Sequence, residues 1–173
     1  SDVCSSDLYM DAANFHLGQI ASMQQQQLIA VEYFDKVGIG PYYLDSQVNS
    51  AVLINQQGNL PEALARIHAL ILGFPQHKNQ LTITSVYMLV EAQQYDDALQ
   101  LLNKAINGQP EEIDLLYARS LVAAKLNDIA STERDLLAVI DIDPDHYDAL
   151  NALGFTLADK TERLDEEIGR AHV

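Results

Sequence analysis

Apolar residues recur at steps of three and four along the chain, in blocks that each end at a proline. Ala63, Ile67 and Leu70 precede Pro75; Ala98, Leu102 and Ala105 precede Pro110; Thr132, Leu136 and Val139 precede Pro144. Such steps place each set on one face of a helix, and the proline stops that helix because it lacks an N–H and clashes with the preceding turn. An earlier block sets Ala30, Phe34 and Val37 before Pro41, so a small residue returns at 30, 63, 98 and 132. A self-similarity of about 34 residues marks a repeat architecture rather than a single folded core.

Each copy also breaks near its middle. Gly58-Asn59-Leu60 in the second and Asn127-Asp128 in the fourth tolerate the left-handed backbone that ends a helix, and Gln93-Gln94-Tyr95 fills the same place in the third. Gln24 to Gln27 reads as a helix end in the first. The predicted unit is helix, tight turn, helix. The copies run over about 11–42, 44–75, 79–110, 113–144 and a partial 147–166. Tyr95 is placed to pack between two helices, and Asp96-Asp97 falls at a helix start, where the dipole favours negative charge.

Composition narrows the chemistry. Ten Lys and Arg against 25 Asp and Glu give a formal charge of −15 over 173 residues. Such a surface repels nucleic-acid phosphates and anionic bilayers, so no nucleic-acid partner is expected. No apolar run is long enough for a membrane-spanning helix. The single cysteine, Cys4, excludes an internal disulfide and a thiolate metal cluster.

The two ends answer to a different code. Residues 1–8 back-translate to TCA GAC GTG TGC TCT TCC GAT CT, and the reverse complement of that string translates as Ile168-Gly169-Arg170-Ala171-His172-Val173 followed by a stop. The string resembles a short-read sequencing adapter, so residues 1–8 and 167–173 are expected to be translated adapter, with a repeat array over 9–166. Without Asp2, Asp7, Glu167 and Arg170 the balance is 9 basic and 22 acidic residues, still strongly acidic. The repeat register puts the small residue of the fifth copy at position 167, where the adapter frame dictates glutamate, so this end is expected to pack poorly.

Leu17-Gly18, Gly58, Leu60, Ala63, Tyr95, Ala98, Pro110, Pro144 and Leu153-Gly154 together resemble the tetratricopeptide repeat family. The characteristic tryptophan is missing, Thr132 replaces alanine, and the third and fourth copies lack Leu-Gly. The resemblance implies an all-α fold, a right-handed superhelical solenoid of helix-turn-helix repeats, acting as a non-catalytic scaffold or adaptor for a protein or peptide. Residues 133–163, through Glu133-Arg134-Asp135-Leu136, Asp143-Pro144 and Ala149 to Asp159, are more closely similar to a proteobacterial group of large tetratricopeptide lipoproteins. Those on the outer membrane are adaptors that hold a carboxyl-terminal processing protease and deliver cell-wall hydrolases to it. That implies the periplasmic face of the outer membrane in a bacterial envelope, with an anchoring cysteine beyond this segment. The alternative is a cytoplasmic regulatory module of a larger enzyme. A third is self-association through an exposed apolar end.

In such an array the concave side is lined mainly by first helices. Helical spacing brings to it Phe15 and Gln19; Val48, Val52 and Asn55; Ile83, Tyr87 and Glu91; Asp114, Tyr117 and Leu121; and Asp148, Asn151 and Phe155. Rings interleaved with Asp and Asn suit an apolar or basic peptide, and burial of some rings between helices is the competing reading. A carboxylate-binding clamp is disfavoured, since Arg119 and Lys125 are the only basic residues in the first helices of the third to fifth copies.

No catalytic, cofactor or metal site is expected. Asp141, Asp143, Asp145, His146 and Asp148 lack the glycine that turns a calcium loop, and the register assigns them to an inter-repeat turn with Asp145 near the next helix start as a cap. His16, His68, His77 and His146 lie in separate copies without ligand spacing. Gly38-Ile39-Gly40-Pro41 lacks the preceding strand and following lysine of a phosphate loop.

Overall fold

The computed structural model describes the backbone of residues 2–171 and the side chains of residues 7–160. Among the described residues there are nine α-helices, one short 3-10 turn and no strand. The helices are α1 (Asp2–Met23), α2 (Gln27–Asp35), α3 (Tyr43–Gln56), α4 (Leu60–Gly73), α5 (Lys78–Glu91), α6 (Tyr95–Ile106), α7 (Ile113–Lys125), α8 (Ile129–Ile142) and α9 (Tyr147–Ala171). The all-α expectation holds, and each of the first four copies is one helix pair. Two compact units divide the chain, residues 1–88 and 89–173, with the division inside α5.

The mid-copy turns share one backbone device. Gln25, Gly58, Gln93 and Asn127 all have positive φ, at 61°, 87°, 59° and 57°. A left-handed residue there folds the chain back so that the next N–H groups return to the end of the first helix, as in Asn59 N–H to Ile54 O at 3.1 Å and Asp128 N–H to Ala123 O at 3.0 Å. Asn59 then caps α4, its Oδ1 accepting from the Glu62 N–H at 3.4 Å while its Nδ2 donates to Glu62 Oε2 at 2.7 Å. Asp128 caps α8 by accepting from the Ser131 N–H at 3.1 Å. Those bonds to Ser131 hold the Asp128 carboxyl below its ordinary value.

The recurring small residues sit at the tightest points. Ala30, Ala63 and Ala98 are fully buried. Thr132 is buried too, because its hydroxyl donates back to the Asp128 carbonyl at 2.8 Å, satisfying the one polar group alanine would not bring. In the first unit α1 packs on α2, α2 on α3 and α3 on α4. Phe34 forms one core cluster with Ala21, Ala30 and Leu53; Ala51, Ile54, Ala63, Ile67 and Leu70 form a second with Leu81 and Met88 of α5. In the second unit α6 packs on α7, α7 on α8 and α8 on α9, burying Leu102, Leu115, Val122, Leu136 and Val139. Each such side chain contributes about 1.5–3 kcal/mol by leaving water.

A polar device recurs in both units. Asp35 lies five residues after its small residue and Arg66 three after the next one; Arg66 donates to Asp35 at 2.8 Å, to Ser50 Oγ at 3.0 Å and to Glu62 at 3.2 Å. Asp35 holds the Arg66 guanidinium above its ordinary value, against the opposing effect of burial. The same register places Asn103, Arg119 and Asp135 together. Arg119 grips the buried Asp135 through Nε and Nη2, at 2.6 and 2.9 Å, and donates from Nη1 to Asn103 Oδ1 at 2.9 Å. Arg134 adds a third donor to Asp135 at 3.1 Å.

Two expectations are corrected at the last turn. Asp145 does not cap the next helix; its own N–H donates to Asp143 Oδ1 at 3.2 Å, and His146 Nδ1 accepts from the Ala149 N–H at 3.1 Å. His146 is the residue immediately before α9, and its ring also packs on Tyr117, 5.2 Å between centroids. The fifth copy shows no mid-copy break: α9 continues unbroken to Ala171. Residues 159–166 contain no Gly, Asn or Pro to favour one. The expected poor packing at position 167 concerns side chains outside the described residues, as do most of the two tails read as adapter.

Candidate functional site

The fourteen first-helix residues named from spacing belong to α1, α3, α5, α7 and α9, and none of them is fully buried. The reason is helical geometry. Gly18 and Ala21 turn inward from α1, Ala51 and Ile54 from α3, Val86 and Met88 from α5, Leu116 and Ala118 from α7, and Ala149 from α9. The named residues flank those inward positions, and Val48 and Val52 pack on the edge of one core cluster and Phe15 on that of the other. Gln19, Tyr87, Glu91, Asp114, Asp148, Asn151 and Phe155 are exposed; Phe15, Val48, Val52, Asn55, Ile83, Tyr117 and Leu121 are half-buried.

The four rings divide in two. Tyr87 is 56% exposed and Phe155 70% exposed, so both keep a face for a partner. Phe15 instead joins a cluster with Tyr42, Phe34 and His16, its centroid 5.1, 6.2 and 5.3 Å from theirs. Tyr117 lies against His146. Spacing alone treated the four alike, because it reports the face of a helix and not what the preceding or following turn brings over it.

In the first unit this face closes into a groove of about 440 Å³ lined by Gln19, Ser22 and Met23 of α1, Phe34 of α2, and Asn49, Val52, Leu53 and Gln56 of α3. Gln19 and Val52 were anticipated. Ser22, Met23, Asn49 and Gln56 were missed although they continue the same faces at steps of three and four, the signal that would have found them. Phe34 and Leu53 belong to the core and form the floor. No lining residue is charged. A larger, shallower recess of about 610 Å³ at the mid-copy turns is lined by Gln25, Gln26, Gln27, Leu28, Ile29 and Gln57, with no first-helix face contributing.

The amides in the groove are held. His16 Nδ1 lies 3.0 Å from Gln19 Oε1, and Gln27 Nε2 donates to Gln56 Oε1 at 3.2 Å. In the second unit the Arg119 guanidinium is engaged by Asp135 and Asn103, so it is committed to the fold and does not offer a carboxylate-binding fork. Among the described residues, no group of three His, Cys, Asp or Glu side chains is placed to hold a metal ion. No helix among them is long and apolar enough to cross a membrane.

No protein-family model matches the chain. It is 36% identical over 157 residues to the TPR repeat-containing protein PA4667 of Pseudomonas aeruginosa, an alignment covering 91% of this chain and 27% of that one. The chain therefore spans about a quarter of that relative's length. Among solved structures it superposes on MamA from Desulfovibrio magneticus RS-1 with a TM-score of 0.60, at 15% identity, covering 93% and 92% of the two chains. The fold is that of tetratricopeptide repeats. PilF of Pseudomonas aeruginosa matches with a TM-score of 0.64 at 15% identity over 92% of this chain and 72% of that one. YrrB, described as a TPR protein with an unusual peptide-binding site, matches at 0.57 and 19% identity over 82% and 73%. In tetratricopeptide terms, α1, α3, α5, α7 and α9 are the first helices, and the groove lies between the first helices of repeats one and two.

Proposed function

We propose that this repeat array is a non-catalytic scaffold that binds a protein or peptide segment on its first-helix faces. One observation carries the reading: on these faces Tyr87 and Phe155 stay exposed, although Val86 and Met88 on either side of Tyr87 are consumed by the core. A surface that keeps large rings in water without a structural need is matched to a partner, where aromatic anchors contribute most of the binding energy. Tetratricopeptide arrays serve as protein-interaction scaffolds.

The finer reading is an adaptor at the periplasmic face of a bacterial outer membrane, which holds a carboxyl-terminal processing protease and presents cell-wall hydrolases to it. It rests on the resemblance of residues 133–163 to that lipoprotein group, and it agrees with a 36% identical relative from a proteobacterium. The test is direct binding of purified array to the protease and to a hydrolase substrate by calorimetry. Alanine at Tyr87 and Phe155 together should weaken binding at least ten-fold without changing helicity, because neither ring is buried. Binding that survives the double substitution refutes the first-helix surface; absence of any protease complex refutes the adaptor reading and leaves the scaffold.

A further inference from the structure

We propose that Asn107 and Gly108, in the segment joining α6 to α7, form a self-modifying site at which the asparagine converts to aspartate and isoaspartate without an enzyme. The site is independent of partner binding. Of the asparagines in the chain, Asn107 alone precedes a glycine. The reaction starts with ring closure: the Gly108 backbone nitrogen gives up its proton and attacks the side-chain amide carbon of Asn107. The N–Cγ bond forms, the Cγ–Nδ2 bond breaks, and ammonia leaves with the proton. Water then opens the five-membered imide. Addition at Cγ yields aspartate, and addition at the main-chain carbonyl yields isoaspartate, whose backbone runs through the former side chain. Water is the only reactant consumed and ammonia the only product released.

The fold leaves both reacting groups within reach of water. Asn107 and Gly108 are exposed. Asn107 ends α6 with φ −53° and ψ −27°, and its own N–H donates to Asn103 O at 3.1 Å. Among the described residues no hydrogen bond engages the Gly108 N–H or the Asn107 side-chain amide. A helical ψ holds the attacking nitrogen away from Cγ, so closure waits on rotation about that bond. Rotation releases the turn bond from Gln109 N–H to Ile106 O, 2.8 Å long. Gly108 follows freely, because a Cβ there would meet only the Ala105 carbonyl, at 4.0 Å, and glycine accepts whichever conformation the rotation produces.

Other asparagines are held against the same step. Asn14, Asn49, Asn55, Asn103 and Asn151 lie inside helices, where the next N–H is tied into the helical ladder. Asn59 engages Glu62 through both ends of its amide. Asn127 precedes Asp128, whose N–H is taken by Ala123 O at 3.0 Å. At Asn107 the products change the junction in two ways. Either acid puts a negative charge at the C-terminal end of α6, where the dipole favours cations and Lys104 is the basic residue of the last turn. Isoaspartate also lengthens the main chain by a methylene between the third and fourth repeats. The last turn of α6, whose Asn103 accepts from Arg119 at 2.9 Å, is therefore the part of the array that loosens as the protein ages.

The test incubates the full chain in neutral and in mildly alkaline buffer, followed by peptide mapping with mass spectrometry and by enzymatic methylation of isoaspartyl carboxylates. Asn107 is expected to convert about ten-fold faster than any other asparagine, the ratio set by one missing hydrogen bond and the freedom of glycine. Conversion should be faster at the higher pH, because the attacking nitrogen must lose its proton. Gly108→Ala should slow it about ten-fold with the fold intact, since the added Cβ makes an ordinary contact. Asn107→Ser should abolish isoaspartate in that peptide. Amide exchange in the last turn of α6 should speed up in step with the fraction converted in the native chain and stay constant in Asn107→Ser. Faster conversion at another asparagine would overturn the proposal. So would conversion of Asn107 confined to chain unfolded in urea, which would show that the end of α6 locks ψ. Exchange that does not follow conversion would overturn the loosening of the junction.

Discussion

Two glycines at equivalent places in the repeat should respond oppositely to the same substitution. A Cβ on Gly18 would stand 2.6 and 2.7 Å from Phe34 Cε1 and Cδ1, whereas a Cβ on Gly154 would meet nothing within 4 Å. Ordinary carbon contacts are about 3.5–4.0 Å, so Gly18→Ala demands a shift of roughly 1 Å from a ring that is 1% exposed. Such overpacking costs about 1–3 kcal/mol, against about 0.5–1 kcal/mol recovered by replacing a helical glycine. The net expectation is a loss of about 1–2 kcal/mol at Gly18 and a gain of about 0.5–1 kcal/mol for Gly154→Ala. Repeat arrays need not unfold in one step, so urea unfolding should be followed both by circular dichroism and by amide exchange resolved to individual helices. Protection should fall in α1 and α2 for the first variant and rise in α9 for the second. Phe34 also floors the groove, so Gly18→Ala should disturb that floor while Gly154→Ala leaves it unchanged. Equal stabilisation by both substitutions would refute the claim that Phe34 is what fixes glycine at position 18.

The buried ion pair gives a second expectation. Asp135→Ala strands Arg119 and should cost about 3–5 kcal/mol in chemical denaturation, while Arg119→Met with Asp135→Leu should be close to neutral, since breaking such a pair costs more than replacing it. Ser46 Oγ is buried without a hydrogen-bond partner, so Ser46→Ala should raise stability by up to about 1 kcal/mol, measurable as a higher urea midpoint at unchanged slope. Asp128 sets a pH dependence. Its carboxyl is held below the ordinary 3.8 by Ser131, so the cap's contribution is fully present above that value and is lost as pH falls through the lower folded-state value. Exchange protection at the start of α8 should therefore decline in acid below about pH 4, and Asp128→Asn, an equally good cap, should abolish that decline.

Local chemistry made the repeat frame legible. Pro75, Pro110 and Pro144 and the small residues at 30, 63, 98 and 132 mark helix ends and close packing whatever surrounds them, and Gly58 and Asn127 are residues that adopt positive φ readily. Gln25 and Gln93 take the same conformation without that preference; at Gln25 the turn is closed by the packing of α2 on α1. The cap on α9 differs from the expectation because the helix starts one residue later than an Asp145 cap requires, so that His146, in contact with Tyr117, accepts from the Ala149 N–H. The first-helix faces were visible as periodicity. Which rings remain free was not, since Tyr42 reaches Phe15 from the inter-repeat loop and His146 reaches Tyr117 from the last turn. The groove's missing amides lay on faces already identified, one turn further along.

The polar device at the repeat junctions amounts to a record of neighbour order. At the first junction Asp35 meets Ser50 and Arg66; at the matching positions of a later one Asn103 meets Arg119 and Asp135, with the cation moved from the second helix to the first. At the next junction the corresponding places hold Leu137 and Leu153. Repeats of nearly the same shape are therefore not interchangeable. Moving the second repeat to follow the fourth would set Arg66 against leucine, and moving the fourth to follow the first would bring a second acid to a pair already balanced by Arg119. Shuffled arrays would pay for each mismatch at the seam, so sequence order is enforced by a few hydrogen bonds rather than by the common scaffold of buried alanines and leucines.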